Sequence, residues 1–176
     1  MVEERLLDSA ILLLRESPSA AVSVAAVAER AGVPEATAAK MFPSFDDVIV
    51  DICLRRIRVV DISTEAASGS VARVSAQLTS VMLFIAEEPE LAAACASVFL
   101  DSGTAAQRAR ELIGQEIHRL IASAAGAGAW PEVRTTLELA FSGALIQAAM
   151  GSMPYGLAAD RLQDAVTLLL ENGPRR

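Results

Sequence analysis

The chain has 176 residues, 53% of them hydrophobic, 21% charged and 4% aromatic. That is enough apolar material for a core in one or two small domains, and it excludes a disordered tail. The net charge of −7 excludes a general electrostatic pull on nucleic acid. Alanine occurs 34 times, and Lys40 is the only lysine beside 14 arginines. Alanine is the best helix former, so the composition leans all-α. The longest apolar runs, such as Val81 to Ala86, stop at six residues, far short of the about 20 that cross a membrane. No leader pattern is expected at the acidic N-terminus.

The first predicted helix runs from about Glu3 to Glu16, with Leu6, Leu7, Ala10, Ile11 and Leu14 in one stripe. Pro18 stops it. Ser23 is a good N-cap for a short helix, Val24 to Arg30. Gly32 follows as a left-handed stop, and Pro34 suits the first position of a third helix reaching about Met41. Ser44 and Asp47 form a cap-like pair opening a fourth helix over about 45–63. Arg55, Arg56 and Arg58 cluster on it and read as solvated charge facing the first helices.

Further helices are predicted over about 70–86, 89–101, 104–125, 131–150 and 157–171. Trp130 beside Pro131 packs at the start of a helix. In the eighth, Val133, Leu137, Phe141, Ala144, Leu145 and Ala148 make one stripe; in the ninth, Leu162, Ala165, Val166 and Leu169 do. Both carry apolar residues off the stripe, so both are expected to be covered on more than one side. That points to a homodimer, with Leu137, Phe141, Leu145, Ala148, Leu162, Val166 and Leu169 at its interface. Cys53 and Cys95 sit in apolar helical contexts and read as two buried thiols of a reducing cytoplasm. One histidine and no Cys/His cluster argue against a metal site. No cofactor is implied, and no Ser/His/Asp set or phosphate loop points to an enzyme.

Two short helices joined by a tight glycine turn behind a first helix make a helix-turn-helix pattern. Val27-Ala28-Glu29-Arg30-Ala31-Gly32-Val33, then Thr37, then Phe42-Pro43-Ser44, resembles the N-terminal domain of the TetR family of transcriptional regulators. The resemblance is specific over residues 5 to 50. It implies an all-α homodimer of about nine helices. Residues 1–44 would bind DNA, and 45–176 would hold a ligand and dimerise. The resemblance implies DNA contacts from Arg5, Ser23, Glu35, Thr37, Lys40 and Ser44.

Departures from the family pattern are Pro34, Ala39 and Phe45, where a hydroxyl, a tyrosine and a lysine are usual, and the acidic Glu35. Residues 1–50 hold four cations against eight carboxylates, a balance of −4. The implied pocket residues are Met82, Ile85, Phe99 and Phe141, with His118 as a polar anchor. The plainer reading puts those four in the core and His118 on a helix surface. The function implied is a cytoplasmic, ligand-responsive repressor. Its partners would be a palindromic operator, a small apolar ligand and a second copy, with no membrane. The alternative is a dimeric helical binding protein that keeps this fold with weak or no DNA binding.

Overall fold

The computed structural model describes residues 1–60, 69–126 and 130–171. Among these there are nine α-helices and no strand. They are α1 (Val2–Glu16), α2 (Val24–Ala31), α3 (Glu35–Met41), α4 (Phe45–Val59), α5 (Ser70–Ala86), α6 (Pro89–Leu100), α7 (Thr104–Ala125), α8 (Pro131–Ala149) and α9 (Tyr155–Glu171). A single 3₁₀ turn, Ser19–Ala21, links α1 to α2. The chain is all-α, as the composition and the helical periodicity predict. The part of the expected fourth helix that runs past Val60 lies outside the described residues.

Local chemistry explains the boundaries of the first four helices. The Ser23 Oγ accepts the Ala26 N–H at 3.2 Å and so caps α2. Gly32 ends α2 at φ +61°, a left-handed conformation that a Cβ disfavours. There the Val33 N–H reaches back to the Ala28 carbonyl at 2.9 Å. Pro34 falls one residue before α3 rather than in its first turn, and its carbonyl takes the Thr37 and Ala38 N–H groups. The Ser44–Asp47 pair forms as expected. The Ser44 Oγ accepts the Asp47 N–H at 3.2 Å and donates to the Asp47 carboxylate at 2.8 Å.

Two apolar cores meet along α4. The first joins Leu6, Ala10 and Leu14 of α1, Val27 of α2 and Ala38 of α3 to Val48, Ile49 and Ile52 of α4. It continues into Leu91 and Val98 of α6. The second joins Ile57 of α4 to Leu78 and Met82 of α5, Ile121 of α7, Leu137 and Phe141 of α8, and Leu162 and Val166 of α9. Fully burying one such side chain stabilises by about 1.5–3 kcal/mol. A shift of α4 is therefore felt in both cores. The short side chains of Ala124, Ala148, Ala158 and Ala159 are buried in the second core, where α9 packs on α5 and α8.

The two cysteines correct an expectation. Cys53 on α4 and Cys95 on α6 come together with their sulfurs in contact, across a Cα–Cα distance of 7.0 Å, rather than standing as separate thiols. They are 42 residues apart in the chain, so nothing local announces the pairing. It follows from the way α6 packs on α4.

Candidate DNA-binding surface and ligand cavity

The recognition surface is built from below by the first core. Ala38 is fully buried, and it seats α3 on α2. The remaining residues of α3, from Glu35 to Met41, are exposed, Thr37 and Lys40 among them. Arg5 on α1 and Ser23 at the start of α2 are exposed as well, and Ser44 is half-buried under its own cap. The Ser23 and Ser44 hydroxyls are thus already engaged in capping, and what they leave free are first-turn amides of α2 and α4.

Charge is distributed less simply than the sequence count implies. Arg30 is tied to Glu16 by a two-pronged pair at 2.6 and 2.7 Å. The hydrogen bond from Arg30 holds the Glu16 carboxyl below its ordinary range, and Glu16 in turn raises the guanidinium. Arg15 leans toward Glu88 at 3.5 Å. Among the described residues, Arg5 and Lys40 have no carboxylate within ion-pair range. They are the unengaged cations of the first three helices.

The arginines of α4 radiate outward to three other helices. Arg55 reaches Asp8 at 3.1 Å and Glu4 at 3.6 Å on α1, so of the three arginines expected to face the first helices only this one pairs with them. Arg56 pairs with Glu88, just before α6, at 2.5 Å. Arg58 approaches Glu116 of α7 at 3.6 Å, where Arg119 also binds. Pairs of this exposure add little to stability, but they orient α4 against its neighbours.

A cavity lies where the two cores separate, between α4, the end of α5, α6, α7 and α8. It is partly open to solvent, with a free volume of about 80 Å³. Its wall is apolar, with Ile57, Ile85, Phe99, Ile113, Phe141 and Leu145 prominent. Of the pocket residues read from the sequence, Ile85, Phe99 and Phe141 line it. Met82 and His118 do not. Met82 is wholly inside the second core. His118 points outward, 58% exposed, with Nδ1 at 2.7 Å from the Glu138 carboxylate on α8. The sequence reading missed Cys53, Cys95, Arg56 and Glu88 in the wall. Glu88 carried a local signal, since it precedes Pro89 at a helix start and cannot be far from the core.

The interface residues read from the sequence also need correction. Leu137, Phe141, Ala148, Leu162 and Val166 are at most 5% exposed within the single chain. Their surface is spent on the chain's own second core, and Leu145 and Leu169 pack against that core as well. The apolar residues that α8 and α9 leave in solvent are Leu139, Met150, Leu157 and Leu168.

Among the described residues no helix is long and apolar enough to cross a membrane. No known family model matches the chain. It is 41% identical over 168 residues to an uncharacterised HTH-type transcriptional regulator of Mycobacterium tuberculosis, covering 94% of this chain and 79% of the relative. A regulator of the same description from Mycobacterium bovis matches to the same extent. Among solved structures, a TetR transcriptional regulator from Rhodococcus sp. RHA1 superposes with a TM-score of 0.79 at 23% identity, over 98% of both chains. The TetR-family repressor FadR of Thermus thermophilus, solved with lauroyl-CoA, gives 0.66 at 19% identity, over 99% of this chain and 96% of that one. The chain therefore belongs to the helix-turn-helix transcriptional regulators and has the fold of the TetR family. It is a DNA-binding transcriptional regulator.

Proposed function

We propose that this regulator is a ligand-responsive repressor that acts in the cytoplasm as a homodimer. Residues 1–44 read DNA, and 45–176 hold the ligand and the second copy. The observation that carries this reading is the position of α4. It forms the floor of the recognition unit through Val48, Ile49 and Ile52, and one wall of the cavity through Cys53, Arg56 and Ile57. An occupant of the cavity pushes on the same rigid element that carries α3. Two recognition helices spaced for half-sites about one DNA turn apart then lose their register.

Thr37 reaches the major groove from α3, Lys40 and Arg5 meet phosphates, and first-turn amides of α2 and α4 donate to phosphates as well. Glu35 opposes binding. The second copy packs on the outer line of α8, where Leu139, Gly143, Ile146 and Met150 follow one another at helical spacing. Leu139 and Met150 are 69% and 61% exposed in the single chain. In a four-helix interface that line, with Leu157 on α9, gains the cover it lacks here.

The test is a mobility-shift titration with the DNA upstream of the protein's own gene and a scrambled control. Specific binding is expected, with a loss for Lys40→Ala smaller than the about 1–3 kcal/mol that a base contact carries. Equal, weak binding to both probes, unchanged by Lys40→Ala, would overturn the operator assignment. The reading would then move to a helical binding protein of the same fold.

A further inference from the structure

We infer that the cavity takes an amphiphile with an anionic head group, bound through the Arg56 guanidinium, with its alkyl chain in the apolar bore. The inference rests on the reading of this cavity as the ligand site, and it names the class of ligand.

The observations are chemical. Among the described residues, Arg56 and Glu88 are the only charged groups in the cavity wall. Both are partly solvent-exposed, at 31% and 17%. Glu88 does not belong to Arg56 alone, because Arg15 of α1 stands 3.5 Å from the same oxygen. Two guanidiniums share one carboxylate there, a local balance of +1. The Arg56 guanidinium lies over the ring of Phe84, itself a wall residue, 5.9 Å from its centroid.

An anionic head group beside this pair meets an excess of positive charge and a planar fork shaped for a carboxylate. An ammonium meets repulsion from two guanidiniums. A neutral hydroxyl can accept from the guanidinium, but it brings no charge of its own and only one oxygen to the fork. An anion that takes Arg56 leaves Glu88 to Arg15, and so it changes the ion-pair chain that runs from α4 through the start of α6 to α1, beside the Arg55 pairs. The head group thereby acts on the DNA-reading unit, while the alkyl chain supplies affinity by burial.

The experiment compares decanoate, decanol and decylamine below their micelle concentrations, with the full-length protein, by thermal shift and calorimetric titration. Decanoate should bind about tenfold tighter than decanol, the factor a charge-assisted hydrogen bond of ordinary strength carries, and decylamine should bind weakest. Arg56→Gln should abolish the preference for decanoate and leave decanol unchanged. Glu88→Gln, which removes the competitor, should tighten decanoate. Arg56→Lys keeps the cation and should keep the order of preference, and it serves if Arg56→Gln fails to fold by circular dichroism. Decanol binding as tightly as decanoate, or a preference unmoved by Arg56→Gln and Glu88→Gln, would overturn the head-group inference and leave the cavity reading standing. Binding of none of the three would overturn both.

Discussion

The salt dependence of operator binding tests whether the ion pairs of the first helices hold when DNA arrives. The sequence offers four cations in residues 1–50, Arg5, Arg15, Arg30 and Lys40. If all of them neutralised phosphate in a dimer, eight counterions would be released, with a log–log slope of about −7. The structure removes two of the four. Arg30 is held by Glu16 and Arg15 is directed at Glu88. An arginine that left its carboxylate for a phosphate would strand that carboxylate beside the duplex. Arg5 and Lys40 remain, two per protomer and four per dimer. The expected slope is then about −3.6, and affinity should fall about a hundredfold between roughly 50 and 200 mM salt. Lys40→Ala should halve the slope to about −1.8, because both copies of one contact are lost. Fluorescence anisotropy with labelled operator over a salt series gives the slope directly. A slope near −7 in the unmutated protein, or no change in slope on Lys40→Ala, would refute the assignment of Arg15 and Arg30 to internal pairs or of Lys40 to phosphate.

Leu139→Asp should convert the dimer to a monomer in sedimentation at micromolar concentration while leaving the melting temperature nearly unchanged, since that side chain is 69% exposed in the protomer. Leu162→Asp should unfold the chain instead, because it puts a carboxylate in a closed core. A monomeric unmutated protein would sink the dimer proposal. Asp46 should show an unusual pH response. Burial first, then Asp101 and Asp47, raise its carboxyl above the ordinary range. The folded state therefore favours the protonated form, and the ionised form costs stability at neutral pH. Asp46→Asn should stabilise the protein at pH 7, with the gain fading as pH falls through that raised range; a constant or inverted difference in denaturant melts would contradict it. Oxidation of the Cys53–Cys95 pair to a disulfide, closing a separation of 42 residues, should add about 4 kcal/mol of stability on chain-entropy grounds. Denaturant midpoints that coincide with and without reductant would show that the link does not constrain the unfolded chain.

How much could be read in advance divides along a physical line. Helix boundaries depend on residues within a turn or two of each other. The Ser23 cap, the left-handed Gly32 and the Ser44–Asp47 pair could therefore be read from neighbours alone, and so could the helix-turn-helix they build. The exposure of Thr37 and Lys40 followed as well, because a seven-residue helix seated through Ala38 has only one side to bury. Contacts between helices obey no such local rule. Each residue turns about 100° around its helix axis, and a small rotation decides which stripe meets the chain itself. Both α8 and α9 were recognisably apolar on two sides. Their strongest stripe, Leu137, Phe141, Leu162 and Val166, is the one the protomer's own core takes first. The weaker outer line of Leu139 and Met150 is what remains for a partner. His118, read either as a pocket anchor or as part of a helix surface, is on the surface, and its partner Glu138 of α8 lies twenty residues along the chain. Cys53 meets Cys95, and Arg15 and Arg56 converge on Glu88, only because α1, α4 and α6 cross at one place. Periodicity and capping are properties of a segment. The cavity and its charged groups are properties of how segments cross, and the tertiary structure alone decided them.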